Sequence, residues 1–333
     1  MSKLLTVVVP TYNVENYIKQ NLSSFVIAEI MEELEVLIIN DGSGDRSVEL
    51  AQEFAEKYPK TFRIVNKENG GHGSTINRGI KEACGKYFKV VDADDWVITE
   101  GMIRLMQTLQ SCDSDLVVSN FYWYHQKKQD VTVEIKEPFE GVEYGKEYRF
   151  SDVCSKMYVK MHGMTVKTEI LKKIPQIDEH CYYVDVEYVL FPIPFVETVI
   201  CIPDFVYMYR IGIAGQSMNI NKMQKNQENF DRVLSRMFAF YEDCKKKQVE
   251  AEKMCYITQY LARVVASRFK IFLSFPYSKE MKLQMKAFDV QVKKAYPDIY
   301  HAVKQKAVLL LRKSGYSLYF AAQWIYKLSE RMK

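Results

Sequence analysis

An α/β architecture is what this sequence predicts: a mostly parallel sheet with helices on both faces, followed by a helical C-terminal region. Three observations carry it. Short apolar runs alternate with amphipathic stretches through the first third, polar residues gather where those runs end, and from about Lys222 the apolar spacing turns helical. The 333 residues, 48% hydrophobic and 26% charged, hold ample apolar surface to offset the entropy of ordering, which excludes a disordered chain.

Leu4 to Val9 is a run of Leu, Thr and Val ending at Pro10, which suits a parallel strand buried on both faces. Val14 to Ile30 reads as a helix, and Leu34 to Ile39 as a second strand closed by Asn40-Asp41-Gly42-Ser43-Gly44. Asp45 to Tyr58 has helical spacing in Val48, Leu50, Ala51, Phe54 and Ala55, and Phe62 to Val65 is a third strand. The glycine-rich stretch Asn69 to Gly73 follows, then a helix from about Thr75 to Ala83 and the strand Tyr87 to Val91. Ligands of such sheets sit beyond the carboxyl ends of the strands. Thr11-Tyr12-Asn13, Asn40-Asp41 and Asp92-Ala93-Asp94-Asp95 are therefore expected to meet at one crevice. Asp115 to Gly215 is an aromatic-rich mixture of short strands and turns. Beyond it, Phe230, Val233, Leu234, Met237, Phe238 and the stretch Tyr260 to Leu273 are helical, with breaks at Pro276 and Pro297.

No apolar run is long enough to span a bilayer. The best candidate, Val189 to Tyr209, is interrupted by Pro192, Pro194, Glu197, Pro203 and Asp204. Met1-Ser2-Lys3-Leu4 leads straight into a strand with no signal-like apolar region, and the seven cysteines include no C-x-x-C pair. Both features read as a cytoplasmic protein with reduced thiols. The net charge of +4 is uneven: residues 301–333 carry seven Lys and Arg against Glu330, leaving the rest of the chain slightly acidic. A near-neutral body argues against nucleic acid as a partner. Lys306 to Lys333 alternates basic and apolar blocks around Trp324, as an interfacial helix on an anionic leaflet does; a final helix packed on the domain with a solvated basic face reads the same way.

The chemistry sits at the strand ends. Three carboxylates within Asp92-Ala93-Asp94-Asp95 repel one another and need a cation or hydrogen-bond donors. An Asp-x-Asp pair in such a loop suits Mg²⁺ or Mn²⁺ bridging substrate phosphates, although an acidic turn capping the helix Val97 to Leu105 has the same composition. Asn40 to Asp45 is either a turn capped by Asp45 or a place for a carboxylate to accept from a base or ribose. Gly70-Gly71-His72-Gly73-Ser74-Thr75 opens a helix and offers backbone N–H groups to an anion. A dinucleotide fingerprint fails there because Ile76 stands where the third glycine belongs, and no P-loop occurs in the chain.

Taken in order, Val7-Val8-Val9-Pro10-Thr11-Tyr12-Asn13, Asn40 to Asp45, Asn69 to Gly79 and Val91-Asp92-Ala93-Asp94-Asp95-Trp96 resemble the inverting family-2 glycosyltransferases of the GT-A fold. The resemblance covers residues 1–120 and, more loosely, 150–218. It implies a catalytic domain over 1–218, with a nucleotide-sugar half (1–115) and an acceptor half (116–218), followed by a helical region over 219–333. It further implies that Pro10, Thr11, Tyr12 and Asp41 hold the nucleoside of a donor, usually a UDP-sugar, with Gly73, Asn77, Asp92 and Ala93 around it. Asp94 is implied as the ligand of Mn²⁺ or Mg²⁺ at the diphosphate, with Asp95 beside it. Where the family often has Ala-Arg-Asn-x-Gly, this chain reads Thr75-Ile76-Asn77-Arg78-Gly79, keeping Asn77 and Gly79 but moving the arginine.

Inversion needs a base for the acceptor hydroxyl. The family's Glu-Asp pair corresponds to Val184-Asp185, so Asp185 is the implied base and Glu187 the fallback; exposed acids at a helix start are the plain alternative. Arg210, in a tyrosine-rich segment, is implied at the diphosphate, with Gln216 and Ser217 closing over the site, although a pairing with a surface carboxylate would equally explain it. His162 is either a structural histidine or part of the acceptor pocket. The implied reaction is metal-dependent transfer to a glycan or lipid-linked glycan in surface-polysaccharide synthesis. Its setting is the cytoplasm, with peripheral contact at the inner membrane face through 306–333 and dimerisation of the helical region as further options. The competing classes are a sugar nucleotidyltransferase, disfavoured because no Gly-rich triphosphate loop follows the first strand, and a non-catalytic binding homologue.

Overall fold

A computed structural model describes residues 3–133, 139, 141–213 and 220–331, with side chains as far as 328. The chain divides into two compact units, Met1–Ala214 and Gly215–Lys333. In the first, the strands are β1 (Leu5–Thr11), β2 (Leu34–Asn40), β3 (Phe62–Asn66), β4 (Tyr87–Val90), β5 (Trp96–Val97), β6 (Leu116–His125), β7 (Asp130–Thr132), β8 (Glu147–Arg149), β9 (Met164–Lys167) and β10 (Thr198–Ile211). The helices are α1 (Ile18–Ser23), α2 (Ser47–Lys57), α3 (His72–Glu82), α4 (Thr99–Ser111), α5 (Phe150–Val153), α6 (Thr168–Leu171) and α7 (Asp185–Leu190).

All ten strands join one sheet in the order β3-β2-β1-β4-β9-β6-β10-β5, with β7 on β6 and β8 on β10. β1 is central to the first half because Leu5, Val7, Val8 and Val9 are wholly buried from both faces. It runs parallel to β2 from Leu5↔Leu34 to Thr11↔Asn40 and parallel to β4 from Leu5↔Tyr87 to Val8↔Val90. β2 in turn aligns Asn40 with Asn66 of β3. This register sets the polar ends of β1, β2 and β3 in one row and starts the acidic loop beside them. The second half is mixed: β9 is antiparallel to both β4 and β6, while β10 runs parallel to β6. Bulges between Cys201 and Tyr207 interrupt that last pairing, and the Asn120 amide donates to the Pro203 carbonyl there (2.9 Å). Bulges of this kind re-aim side chains beside functional sites.

Two expected elements differ. The helix read over Val14 to Ile30 shrinks to α1, because the Ser24 hydroxyl turns back on the Asn21 carbonyl (2.6 Å) and accepts from the Val97 N–H (3.1 Å). Phe25, Ile27 and Ile30 then enter the core from turns. α3 starts at His72, three residues early, because Gly71 takes φ +82° and swings the chain into the helix.

The second unit is helical: α8 (Ile220–Lys225), α9 (Gln227–Lys246), α10 (Ala251–Ser274), α11 (Lys279–Ala295), α12 (Pro297–Ala302), α13 (Lys306–Lys313) and α14 (Tyr319–Arg331). α10 is its hub, burying Ile257, Leu261, Val265, Phe269 and Phe272. Pro276 lies between α10 and α11, and Pro297 opens α12, as expected of helix breaks. Arg312, counted in the basic tail, is internal: its guanidinium grips Asp289 (2.7 Å), which also accepts from Tyr316. Among the described residues no helix is long and apolar enough to cross a membrane, and all seven cysteines are free thiols.

Candidate active site

The acidic loop after β4 owes its shape to hydrogen-bond donors from distant elements. The Asn21 amide donates to the carbonyls of Asp92 (3.0 Å) and Asp95 (2.9 Å). Asp95 is buried, and its carboxylate accepts from the Tyr207 hydroxyl (2.5 Å) and the Arg210 backbone N–H (2.7 Å). Burial and the neighbouring carboxylates of Asp94 and Asp92 hold its pKa well above the usual carboxylate range. Arg210, expected at the diphosphate, lies behind this loop. Its Nε donates to the Asp94 carbonyl (2.7 Å), its Nη atoms to Gln126 and Gln20 (both 2.5 Å), and its guanidinium stacks on Trp96. Its fork is spent on shaping the loop. Gln216 and Ser217 lie outside the described residues.

Asp92 and Asp94 remain on the open side, both partly exposed. Asp92 Oδ1 meets His72 Nε2 at 2.8 Å. Burial would raise the Asp92 pKa, but His72 pulls it below the ordinary value; conversely, burial would lower His72, but Asp92, joined by Asp185 and Asp94, raises it. No other residue's hydrogen bond reaches the Asp94 carboxylate among the described residues, and burial beside Asp92 pushes its pKa up to about 6. Ala93 is buried between the two.

The glycine-rich stretch performs a different task from the one expected of it. Asp41 turns inward: its carboxylate accepts from Gly70 N (2.9 Å), Gly71 N (2.8 Å) and Lys67 Nζ (2.7 Å). The N–H groups of Ser74 and Thr75 go to the Gly71 carbonyl. The anion of this loop is thus the protein's own Asp41, which leaves that residue no exposed edge for a nucleoside. Gly73 and Asn77 likewise face protein. A Cβ on Gly73 would lie 2.0 Å from the Asp178 carbonyl oxygen, and the Asn77 side chain pairs with the Ile177 N–H (2.9 Å) and carbonyl (2.8 Å). With the His180 N–H on the Gly70 carbonyl (2.5 Å), α3 holds the segment 177–180 against the donor side of the sheet. That segment leads to Asp185.

Asp185 heads α7, exposed to solvent, just after Tyr183 and near His180, both with left-handed backbone (φ 67° and 51°). Strain of this kind clusters at functional sites. Protein around the Asp185 carboxyl pushes its pKa up, and His72 acts against the rise. Glu187, the fallback, is wholly buried and accepts from the Asp178 N–H (2.9 Å), so it serves the fold. At the end of β1, Thr11 is buried with its hydroxyl on the Val9 carbonyl (3.0 Å), Pro10 is half-buried, and the Tyr12 ring is 52% exposed at the strand end.

His162 sits on a 3₁₀ turn (Met161–Gly163), its ring against Phe121, Tyr207 and Tyr209. Burial pushes its pKa down to about 3, and its Nδ1 has no hydrogen-bond partner. Ligand atoms of His162, Asp92 and Asp95 lie within 4.8 Å of one another. Asp95 is already committed to Tyr207 and Arg210, which leaves Asp94, partly open beside Asp92, as the carboxylate available to a divalent cation. Hard carboxylate oxygens suit Mn²⁺ or Mg²⁺, and the residues present fit such an ion. Sequence reasoning missed His72, Asn21 and Tyr207. His72 had a visible signal, a titratable side chain inside a glycine-rich helix start.

The family profile described as "Glycosyl transferase family 2" matches residues 6–174, just over half the chain. The glycosyltransferase GlyA of Streptococcus pneumoniae serotype 4 is 33% identical over 124 residues, 37% of this chain and 18% of that protein. The minor teichoic acid biosynthesis protein GgaB of Bacillus subtilis is 33% identical over 127 residues, 38% of this chain and 13% of that protein. The matches thus span less than a fifth of either relative. The crystal structure of S. aureus TarS 1-349 superposes with a TM-score of 0.63 at 16% identity, covering 99% of this chain and 92% of that one. The same S. aureus protein in complex with UDP-GlcNAc gives a TM-score of 0.57 at 16% identity, over 94% of this chain and 92% of that one. At that identity the likeness is one of fold, the GT-A fold.

Proposed function

The chain belongs to glycosyl transferase family 2, and from that premise we propose that it transfers a sugar, with inversion, from a UDP-sugar to a glycan or lipid-linked glycan during surface-polysaccharide synthesis. One observation carries the reading: Asp92 meets His72 at 2.8 Å, and the charges of Asp94, just past β4, and of Asp185, at the head of α7, act on the same ring at the carboxyl edge of the sheet. UDP as the nucleotide is supported by the UDP-GlcNAc complex of the S. aureus protein that shares the fold.

In this reading Tyr12 lays its exposed ring on the base, Pro10, Thr11 and Ala93 shape the nucleoside pocket, and Asp92 accepts from the ribose. Asp94 would hold Mn²⁺ or Mg²⁺, and such an ion, when bound, would stabilise charge on the departing diphosphate. Asp185 accepts the acceptor hydroxyl proton as its oxygen bonds to the sugar C1 and the bond from C1 to the diphosphate oxygen breaks. Asp95, Tyr207, Arg210 and Asn21 keep the acidic loop from collapsing on itself. Domain limits of 1–218 and 219–333 fit this division of labour.

Membrane contact through 306–333 belongs to the same reading. Phe320, Trp324, Ile325 and Leu328 are exposed on one side of α14, and Leu309 and Leu310 alternate with Lys306 and Lys313 on α13. Apolar anchors flanked by lysines complement an anionic leaflet. This surface supports a reading in which the enzyme works at the inner face of the cell membrane on a lipid-linked acceptor.

The test is a thermal-shift panel of UDP, GDP, CDP and dTDP, each with and without Mn²⁺, since a ligand bound only by the folded state raises its apparent stability. UDP is expected to shift the transition in a Mn²⁺-dependent way that Asp94→Ala abolishes. Silence for every nucleotide would defeat the donor assignment.

A further inference from the structure

We propose that His72 is a positioning residue of the transfer: its imidazole holds the Asp92 carboxylate in the donor-facing orientation, apart from Asp185. The inference rests on the donor-site reading above and adds to it a residue that the resemblance does not assign.

Three features of the structure carry it. First, the contact is short and aimed: His72 Nε2 lies 2.8 Å from Asp92 Oδ1, and both side chains remain partly open to the cleft. Second, the backbone that carries the ring is fixed on both sides. Upstream, Gly71 at φ +82° is pinned by its N–H on Asp41; downstream, the Thr75 hydroxyl donates to the His72 carbonyl (2.6 Å). Third, Asp92 sits beside like charge: a carboxylate oxygen of Asp92 lies within 4.8 Å of ligand atoms of Asp95 and His162, so the hydrogen bond from His72 decides how the Asp92 side chain settles. The hydrogen bond to the Asp92 carboxylate comes from His72, and the charges of Asp94 and Asp185 act on the same ring. A ring anchored in this way sets Asp92 against the ribose and keeps it apart from Asp185, whose proton chemistry needs that space.

The bond uses Nε2, and this dictates the variants. A glutamine amide reaches roughly where Nε2 sits, whereas an asparagine amide stops near Nδ1. UDP binding with Mn²⁺ is measured by calorimetry for wild type, His72→Gln, His72→Asn, Asp92→Asn and the double variant His72→Asn/Asp92→Asn. The expected result is about a tenfold weaker affinity in His72→Asn and Asp92→Asn, recovery to within about threefold in His72→Gln, and no further loss in the double variant, because coupled residues do not add. Multiplied losses in the double variant, or wild-type affinity in His72→Asn, would overturn the proposal. Crystal structures of ligand-free His72→Asn and His72→Gln read the same claim without nucleotide: the Asp92 carboxylate leaves its place in the first and keeps it in the second. An unmoved Asp92 in His72→Asn also overturns it. A wild-type protein that binds no UDP would defeat the donor reading alone, while the two crystal structures still decide the role of His72.

Discussion

Gly73→Ala attacks the contact on which the assembled site depends most. The new Cβ would stand 2.0 Å from the Asp178 carbonyl oxygen, against the 3.0 Å below which real Cβ atoms are essentially never found, so the backbone must open there. Ile177, next to Asp178, carries the Asn77 clamp, and moving this backbone strains the clamp's two bonds to Ile177 (2.9 and 2.8 Å). Overpacking costs about 1–3 kcal/mol, and each strained hydrogen bond about 1 kcal/mol. Alanine's better helix propensity returns about 1 kcal/mol. The net is a loss of about 2–4 kcal/mol, which in a unit of this size lowers Tm by roughly 5–12 °C. The larger effect is on chemistry, because the displaced segment leads to Asp185 and a shift of about 1 Å in a reacting group costs on the order of a hundredfold in rate. Circular-dichroism melting paired with a UDP-release assay reads both numbers. Asn77→Ala, which cuts the clamp without adding bulk, should lose stability by about 2 kcal/mol. A Gly73→Ala protein that melts within about 1 °C of wild type and turns over normally would refute the account of how α3 holds the segment leading to Asp185.

Further outcomes follow from buried charges and the exposed helix. Lys89, wholly buried on β4, donates to the His162 (2.6 Å) and Met164 (3.3 Å) carbonyls, and burial pushes its pKa down to about 7. An unfolded lysine keeps its proton to near pH 10, so between about pH 7 and 10 the unfolded state binds more protons and stability rises with pH. Urea titrations at pH 7, 8 and 9 should show wild type gaining up to about 1.4 kcal/mol per pH unit relative to Lys89→Met, and parallel curves would contradict the assignment. Asp289→Asn leaves the Arg312 guanidinium without its carboxylate and should destabilise the helical unit by about 3–5 kcal/mol, read by the thermal transition of the full chain. Trp324→Glu, on an exposed position, should leave Tm unchanged yet abolish cosedimentation with phosphatidylserine-containing vesicles; a loss of dimers in place of vesicle binding would assign the α14 face to a second copy.

What was legible from residues alone was the part governed by strand periodicity. Alternating apolar runs located β1 to β4, and their register alone brings Thr11, Asn40 and the acidic loop to one edge. Side-chain roles at that edge were less legible, because residues of one type divide between ligand and scaffold according to contacts from far along the chain. Asp41 and Asp92 both follow strands, yet Asp41 is captured by Gly70, Gly71 and Lys67 while Asp92 opens to the cleft. Asp94 and Asp95 are adjacent, and only the arrival of Tyr207 and Arg210 from β10, more than a hundred residues later, buries one and leaves the other partly open. Arg210 looked like a phosphate ligand because an arginine beside tyrosines is compatible with that role; its stacking on Trp96 and its bonds to Gln20 and Gln126 are not encoded in any local pattern. The over-long helix at Val14 came from apolar spacing that Ser24 cuts short.

The central claim, that Asp185 serves as the base of a nucleotide-sugar transfer, is tested most directly by UDP release from UDP-sugars, with water in the acceptor's place, in wild type and Asp185→Asn under Mn²⁺. The account predicts that Asp185→Asn binds UDP within about threefold of wild type while its release rate falls by about 10²–10⁴. Equal rates in the two proteins, with UDP bound equally well, would contradict it and remove Asp185 from the chemistry.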